Sequence, residues 1–344
     1  MGGRAANDMA DGGDRAAPIG AAAAPGSGIA RQAVLPSFGP AVRRGSDDDF
    51  AHPAERELAR LLTFYGVRWA YEPTTFDLRR AGGGGSAAFF TPDFYLPDHR
   101  LYIELTTMRQ RLVTRKNQKL RRLRELYPEV GIKLLYRRDY QQLVDAYEPA
   151  KADPDQERIG PIVYPAAVIA ARVETLADQI AADFAVSAPS WSTRSPVLVG
   201  VGQGSDRFLS ALSAALTHRG VAYGQDRIEL TRYDPVGDGR ARVRRAPCLE
   251  LSGRRVLLVE DVVSTGLSLA YLVAWLRRRG VRDVSACTLL DRAAARLVEV
   301  PIRHAGFQVS AALVAGFGLG LRRQFSELPY IAAIAPASLP RSSV

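Results

Sequence analysis

The residues best suited to chemistry in this sequence lie in one short stretch, VLLVEDVVSTGLSLA at 256–270. Glu260 and Asp261 follow an apolar run, which places them just past the carboxyl end of a predicted strand, where open α/β sheets bind ligands. A predicted helix then begins with a set of hydroxyls and backbone N–H groups, in Ser264, Thr265, Gly266 and Ser268. Because unpaired N–H groups and the helix dipole both attract anions, this segment predicts a phosphate site. The paired acids would repel a bare phosphate, so we expect them to hold ribose hydroxyls or a magnesium ion.

A second glycine loop, Gly202-Gln203-Gly204, also follows an apolar run and precedes a predicted helix. Two such loops at one edge of a sheet could hold a pyrophosphate and a separate phosphate. One glycine loop is weak evidence, whereas two loops beside an acidic pair are more specific. The alternative is an ordinary strand-to-helix turn in which the serine and threonine of the first loop cap the helix.

A second group of acids lies in FFTPDFYLPDHRLYIELTT at 89–107. Asp93 falls on one predicted strand and Glu104 on the next, so a hairpin can bring the two carboxylates together. Since neighbouring acids are costly without a cation between them, we predict a magnesium site there, completed by Glu55. A basic helix downstream suits phosphodiester contact, and its cations are Arg115, Lys116, Lys119, Arg121, Arg122 and Arg124. The alternatives are a proline-bounded strand, an edge strand with exposed polar residues and a solvated basic face.

The elements that must position the first group are strands and helices in alternation. Apolar runs predict strands at 196–201, 254–259 and 283–290, and amphipathic patterns predict helices at 165–184, 206–216 and 267–279. Continuously apolar strands that alternate with helices indicate a parallel sheet covered on both faces. The predicted fold class is therefore α/β with a parallel sheet.

The elements that must position the second group form a smaller α/β unit. They are a helix at 54–66 preceded by the acids at 47–49, strands at 69–71, 89–96 and 101–105, a helix at 115–126 and a strand at 132–136. The composition then predicts a disordered tail at 1–47, a domain at 48–147, a linker at 148–160 and a domain at 161–338.

The net charge and the two cysteines indicate which partners and which cellular compartment to expect. The net charge of +10 favours anionic partners, namely phosphates, nucleotides or nucleic acid. Only four lysines occur, and three of them fall at 116, 119 and 133. Cys248 and Cys287 lack metal-site spacing, which indicates reduced thiols in a cytoplasmic protein. Apolar runs of the length that a signal peptide or a membrane span requires are lacking, so we expect no membrane partner.

The region 162–336 resembles the hypoxanthine-guanine phosphoribosyltransferases. The resemblance rests on VLLVEDVVSTGLSL, on VLVGVGQGSDRFL at 197–209, on LTRYD at 230–234, on CTLLDR at 287–292 and on LVAGFGLGLRRQFSELPYI at 313–331. It implies a type I phosphoribosyltransferase fold that joins phosphoribosyl pyrophosphate to a purine base with Mg2+. It also implies that Tyr233 lies in a flexible loop over the site.

The same resemblance implies a role for each matching residue. Glu260 and Asp261 would contact the ribose hydroxyls. The 5′-phosphate would lie against Thr265, Gly266 and Ser268, with Ser264 in the same loop, and the pyrophosphate would face Gly202, Gln203 and Gly204. Val314 and Phe317 would lie beside the base, which Arg292 would read.

Four positions depart from that family. Ser264 replaces an aspartate that serves as general acid and base at the purine, and a neutral hydroxyl cannot take a proton effectively without an activating base. Arg292 replaces the lysine that reads the base, and its planar fork has a different reach. Gly320 replaces a magnesium-associated aspartate. Ser326 replaces an arginine that meets pyrophosphate, a role that Arg322 and Arg323 could take.

Residues 50–145 resemble the PD-(D/E)xK nuclease superfamily. Pro92-Asp93 matches the PD motif, and Glu104-Leu105-Thr106 falls at the (D/E)xK motif. Thr106 stands where the superfamily has lysine, but there the lysine can come from a neighbouring helix, as Lys116 or Lys119 could here. The resemblance implies a restriction-endonuclease-like domain that acts on DNA or RNA, with Asp93, Glu104 and Lys116 as catalytic residues.

Two functions follow for the whole chain. The first is a purine phosphoribosyltransferase, expected to be a homo-oligomer, fused to a nuclease-like domain. The second is a binding module that senses phosphoribosyl pyrophosphate or a nucleotide and regulates a nucleic-acid-acting N-terminal domain. Ser264 and Gly320 favour the second, whereas the breadth of the resemblance and the retained acidic pair favour the first.

Overall fold

The computed structural model describes residues 50–79, 89–106, 110–136, 157–186, 195–234, 239–309, 313–320 and 324–336. The predicted tail at 1–47 and the acids at 47–49 lie outside these ranges. No helix in the described ranges is long and apolar enough to span a membrane.

The N-terminal unit is a helix, a hairpin and a strand–helix–strand crossover. Its elements are α1 (Pro53–Phe64), β1 (Ala70–Tyr71), β2 (Phe76–Asp77), β3 (Phe89–Phe90), β4 (Phe94–Leu96), β5 (Leu101–Thr106), α2 (Gln110–Leu126) and β6 (Gly131–Tyr136). Four strands form a sheet in the order β1-β4-β5-β6. The β4–β5 pair is antiparallel and the β5–β6 pair is parallel, because α2 carries the chain back to the start of the sheet.

Helix α1 begins at a capping box. The backbone N–H of Ala54 donates to the His52 ring, and the His52 N–H donates to the Glu55 carboxylate at 3.2 Å. Pro53 occupies the first turn, where its missing N–H costs nothing. Gly66, with φ of 71°, follows the last turn, as the sequence predicts.

Two element predictions in this half are wrong. The strand predicted over 89–96 is two strands, β3 and β4, since β3 pairs with β2 while β4 pairs with β5. The predicted linker at 148–160 ends inside a strand, because 157–160 belongs to Glu157–Tyr164, which pairs with the last strand of the chain. Residues 148–156 lie outside the described ranges.

The C-terminal unit is built on a six-stranded sheet. Its elements are β7 (Glu157–Tyr164), α3 (Ala166–Val186), β8 (Val197–Val201), α4 (Asp206–His218), β9 (Gly224–Leu230), β10 (Val243–Arg245), β11 (Arg255–Val263), α5 (Leu267–Arg277), β12 (Asp283–Asp291), β13 (Ile302–Gln308), β14 (Val314–Ala315) and β15 (Ile331–Pro336). The order is β10-β9-β8-β11-β12-β13, and all neighbours are parallel except the edge strand β10. A separate antiparallel sheet has the order β14-β15-β7.

The alternation of side chains along the central strands explains why this sheet is covered on both faces. Leu257 and Val259 pack with the helices α3 and α4, whereas Val256 and Leu258 pack with α5. All four side chains are buried, which is the state that the continuously apolar runs predict. The predicted α/β class with a parallel sheet is confirmed.

A third core joins the two units. Leu61, Phe64 and other apolar residues of α1 belong to one buried cluster with residues of the C-terminal unit. The C-terminal members are Tyr233, Ala241, Leu267, Leu297 and Val298. The backbone N–H of Ala241 also donates to the carbonyl of Phe64 at 2.8 Å. Helix α1 is therefore part of the core of both units.

Candidate functional site

The acidic pair lies inside a strand. β11 continues through Glu260 and Asp261 to Val263, because Glu260 pairs with Thr288 and Val262 pairs with Leu290 on β12. The expectation that the acids follow the end of the strand is therefore wrong, because β11 ends at Val263 and the predicted strand ended at 259. Both acids still lie in the last half of β11, at the edge where the phosphate loop begins.

Burial dominates the electrostatics of this pair. It raises the pKa of Glu260 to about 8, with the neighbouring Asp261 adding to the effect and Arg296 opposing it. Burial likewise raises the pKa of Asp261 to about 6, although the Val262 N–H donates to its Oδ1 at 2.9 Å. Within the described part of the chain, the buried Oε2 of Glu260 has no hydrogen-bond partner. Such an acceptor is suited to a ligand hydroxyl or cation.

The second glycine loop meets the acidic pair directly. A Cβ atom at Gly204 would lie 2.3 Å from Asp261 Oδ2, so only glycine allows this approach. Gly202 has φ of 64°, and Ser205 closes the turn by donating to the Gly202 carbonyl at 3.3 Å. Gln203 is exposed at the tip. The structure thus brings together the two loops that the sequence predicts to share one sheet edge.

The loop from Ser264 to Ser268 lies at the start of α5, where the sequence predicts an anion cradle. Gly266 is the helix N-cap with φ of 81°, and Thr265 Oγ1 accepts from the Leu267 N–H at 3.3 Å. A Cβ atom at Gly266 would lie 2.6 Å from the carbonyl of Val298, which again requires glycine. The nearby Ser268 hydroxyl lowers the pKa of the Glu260 carboxyl, against the larger effects of burial and Asp261.

Arg292 lies at the opposite end of this loop. Its backbone N–H donates to the Val263 carbonyl at 2.9 Å, and its guanidinium is 3.4 Å from Ser264 Oγ. Asp291, the nearest acid in sequence, pairs with Arg296 and accepts from Gln308 at 2.8 Å. Asp291 therefore does not replace the family's aspartate as the base for proton transfer.

The C-terminal segment packs against the glycine loop. Phe317, with φ of 54°, lies under the Arg207 guanidinium at 5.0 Å, and Val314 is half-buried nearby on β14. Arg207 also donates to the carbonyls of Glu327 and Leu328. Gly318 approaches the carbonyl of Gly204 so closely that a Cβ atom would lie 2.9 Å from it. Arg322 and Arg323 lie outside the described residues.

Tyr233 does not lie over the acidic pair. Its side chain is buried against α1, where the ring contacts Phe64 edge-on at 5.3 Å and the hydroxyl donates to Glu57 at 2.5 Å. The tyrosine that was expected over the site instead packs on α1, because that helix offers its ring a buried apolar surface. Glu57 carried no local signal that could have predicted this contact.

The second predicted group also comes together in part. Asp93, directly before β4, and Glu104, on β5, are both buried. The Asp93 N–H donates to Glu104 at 3.3 Å, and the Leu105 N–H donates to Asp93 at 2.6 Å. Lys116 reaches in from α2, with Nζ 2.5 Å from Glu104 and 2.7 Å from the Leu105 carbonyl. Burial and then the charge of Glu104 raise the pKa of Asp93 to about 7, and burial also raises the pKa of Glu104.

Glu55 does not complete a three-carboxylate metal site. Its carboxylate accepts from the His52 N–H and from the Tyr71 hydroxyl at 2.7 Å, so it caps α1. Across the described ranges, no group of three or more Asp, Glu, His or Cys side chains is arranged to hold a metal ion. Magnesium often takes only one or two protein carboxylates and fills its shell with phosphate oxygens and water. Both the Glu260–Asp261 pair and the Asp93–Glu104 pair fit that kind of ion.

The C-terminal unit matches the model of the phosphoribosyl transferase domain over residues 164–318. It is 30% identical to the hypoxanthine-guanine phosphoribosyltransferase of Bacillus subtilis over 144 residues, which are 41% of this chain and 78% of that protein. It is also 32% identical to the bifunctional protein TilS/HprT of Listeria monocytogenes over 145 residues, 42% of this chain and 22% of that protein. A crystal structure of a Bacillus anthracis hypoxanthine-guanine phosphoribosyltransferase aligns with TM-score 0.46 and 23% identity, covering 52% of this chain and 99% of that one.

The chain therefore belongs to the phosphoribosyltransferase family. Within that family, its C-terminal unit is of the hypoxanthine-guanine phosphoribosyltransferase type. The family model lies wholly within the C-terminal unit, so the N-terminal unit is an addition to the shared domain.

Proposed function

We propose that the C-terminal unit transfers a phosphoribosyl group from phosphoribosyl pyrophosphate to a purine base. The observation that carries this proposal is the meeting of Gly204, Asp261 and the Ser264–Ser268 cradle at one sheet edge. An acidic pair between two anion loops suits a ligand with ribose hydroxyls in the middle and phosphates at both ends. The domain that performs this function would span 161–338.

The reaction breaks the bond between ribose C1 and the pyrophosphate oxygen and forms a bond from C1 to a purine nitrogen. The pyrophosphate keeps the electron pair of the broken bond, and the purine nitrogen loses its proton. Glu260 and Asp261 would hold the ribose hydroxyls and stabilise the positive charge that develops at C1, while the loops hold both phosphate groups in line. Mg2+ held by the acidic pair and the pyrophosphate would offset the charge of the leaving group.

Arg292 and Ser264 would face the purine together with Val314 and Phe317. The guanidinium beside Ser264 can donate to a purine carbonyl, but neither group can accept the purine proton at neutral pH. We therefore expect the proton to leave to water and the turnover to be slower than with a carboxylate base, by roughly the 10²–10⁴-fold that general catalysis contributes.

Pyrophosphate release tests this function. The full chain is incubated with phosphoribosyl pyrophosphate, Mg2+ and hypoxanthine, guanine, xanthine or adenine, and binding is measured by calorimetry. We expect turnover with at least one base, and about tenfold or greater loss of affinity in Asp261→Asn, because a charged hydrogen-bond acceptor is removed. Asp178→Asn, an exposed change on α3, is the matched control.

The second candidate is the sensing module, and Ser264 is the observation that favours it. Tight binding of phosphoribosyl pyrophosphate without turnover of any of the four bases would support the sensor and overturn the transferase. Unchanged affinity in Asp261→Asn would remove the acidic pair from both functions.

We also propose that the N-terminal unit, over 48–147, is a metal-dependent nuclease of the PD-(D/E)xK type. Support comes from the convergence of Asp93, Glu104 and Lys116, with Lys116 supplied by α2 in place of Thr106. The acids would hold Mg2+ against a nucleic-acid phosphate, and Lys116 would stabilise the negative charge that develops there. Exposed cations on α2, among them Arg121 and Arg124, would contact neighbouring phosphates of DNA or RNA.

Cleavage of plasmid DNA, single-stranded DNA and RNA in Mg2+ tests the nuclease. We expect cleavage by the full chain, loss of at least about 100-fold in Asp93→Ala, since a metal ligand is removed, and little change in Asp98→Ala. Asp98 is a suitable control because it pairs with Arg68 on the exposed surface. Cleavage that persists in Asp93→Ala would contradict the proposal.

A further inference from the structure

A lysine on the edge strand of the N-terminal sheet contacts a loop of the C-terminal unit. Lys133 lies on β6, and its Nζ donates to the carbonyl of Ala294 at 2.7 Å and to the carbonyl of Arg296. Both carbonyls stand at the end of the short helical turn Ala293–Ala295 that follows β12. Carbonyls at a helix end lack internal donors, and a cation there satisfies them.

The loop that Lys133 holds is the back wall of the phosphate cradle. The backbone N–H groups of Leu297 and Val298 both donate to the carbonyl of Thr265, at 2.9 and 3.1 Å. The Val298 carbonyl is also the atom that limits Gly266 to glycine. Displacement of residues 294–298 would therefore move Thr265 and Gly266, whose N–H groups form the cradle.

The same wall is buried against α1. Leu267, Leu297 and Val298 are each at most 1% exposed and share one cluster with Leu61 and Phe64. Water therefore cannot replace the N-terminal unit at this contact without exposing the cluster. Lys133 provides a polar contact at the rim of this apolar interface.

We propose that Lys133 is a positioning residue of the phosphoribosyl site, and that the N-terminal unit is an integral part of that site. Lys133 touches no reacting atom. It fixes the carbonyls of Ala294 and Arg296, and through Leu297 and Val298 it fixes the shape of the 5′-phosphate cradle. This inference rests on the proposed function of the cradle, namely that it binds the 5′-phosphate of phosphoribosyl pyrophosphate.

The test compares Lys133→Met with Lys133→Arg in the full chain. Calorimetry with phosphoribosyl pyrophosphate and Mg2+ gives the affinity, steady-state kinetics separate KM from kcat, and hydrogen exchange follows the Leu297 and Val298 amides without ligand. For Lys133→Met we expect affinity and kcat/KM to fall about tenfold, as for a lost charged hydrogen bond, and exchange at both amides to rise. Lys133→Arg should restore most of both, because it keeps the charge and the donors.

Arg68→Met is the matched control, since it removes a cation from the same unit at an exposed pair with Asp98. It should change neither readout. If Lys133→Met is not recovered folded, Lys133→Gln, which keeps a donor without the charge, is judged by the same criteria. Wild-type affinity and wild-type exchange in a folded Lys133 variant would overturn the inference. A wild-type chain that fails to bind phosphoribosyl pyrophosphate would instead overturn the proposed function, while the exchange comparison would still test the Lys133 contact.

Discussion

At Glu260 the folded chain holds a carboxyl group in surroundings that oppose its charge. Burial and the adjacent Asp261 together raise its pKa to about 8 from an ordinary value of 4.5. Its Oε2 lacks a hydrogen-bond partner in the described part of the molecule. A carboxyl group that is buried despite the cost of losing its hydration is more consistent with a role in ligand binding than with a role in stability.

The residue-scale prediction concerns the pH dependence of stability. Because the folded state binds the Glu260 proton more tightly than the unfolded state, this group's contribution to the free energy of unfolding falls as pH rises from 4.5 towards 8. Glu260→Gln should therefore be more stable than the wild type at pH 8 and nearly equal to it in stability at pH 4.5. The gain at pH 8 should be about 1.4 kcal/mol for each tenfold difference in proton affinity between the folded and unfolded states. Urea unfolding in metal-free buffer checks this.

Glu229→Gln serves as the control of opposite sign. The Arg244 guanidinium lowers the pKa of Glu229, so its contribution is present at neutral pH and disappears as the pH falls. A stability gain in Glu260→Gln that does not depend on pH would show that burial does not control this carboxyl group.

At the scale of elements, α1 is the helix on which both units depend. Its N-terminus carries Glu55 beside the Asp93–Glu104 pair, and its other end carries Phe64 against Tyr233. The charge of Glu55 contributes to the raised pKa of Asp93, after burial and Glu104. One helix therefore lies beside the Asp93–Glu104 pair and also packs against the C-terminal unit.

The element-scale prediction tests that shared packing. Phe64→Ala should lower the free energy of unfolding by roughly 3–5 kcal/mol, the usual cost of removing a buried aromatic ring. Tyr233→Phe should cost only about 1 kcal/mol, because it removes one hydrogen bond and keeps the ring. Phe89→Ala, at a ring that is 48% exposed, is the control for loss of a phenylalanine. A cost for Phe64→Ala no greater than that of the control would contradict the shared core.

At the scale of the whole molecule, the interface is a continuous core, since it contains Leu61, Leu267 and Val298 in one cluster. Domains that share such a core usually unfold together, whereas polar interfaces allow separate transitions. The N-terminal unit is thus joined to the family's domain by a shared hydrophobic core as well as by the chain.

The corresponding prediction uses tryptophan as a reporter in each unit. Trp69 lies in the shared cluster and Trp275 lies on α5. Each reporter is measured in a chain whose other two tryptophans are replaced by phenylalanine. The urea concentrations at the midpoints of unfolding reported by Trp69 and by Trp275 should agree within about 0.2 M, which is small compared with the width of a two-state transition. Two separate midpoints would show that the units fold independently.

Some elements of the fold could be predicted from the sequence, and others could not. The strands around Leu198, Leu257 and Cys287 were predictable because a buried parallel strand is apolar at most positions. The start of α1 was predicted to within one residue, but its His52 cap was not, because histidine is an uncommon cap and the acids at 47–49 offered a more familiar signal. The length of β11 was not predictable either, since polar residues such as Glu260 normally mark the end of a strand.

The sequence by itself determined the two glycine-containing loops, the acidic pairs and the order of most strands and helices. Each of these depends on residues close together in the chain, and their spacing fixes which backbone groups they present. Only the tertiary structure decided that Tyr233 packs on α1 and that Lys133 holds the carbonyl of Ala294, which is 161 residues away. Contacts over such separations leave no local pattern, because they arise only when two buried surfaces pack together.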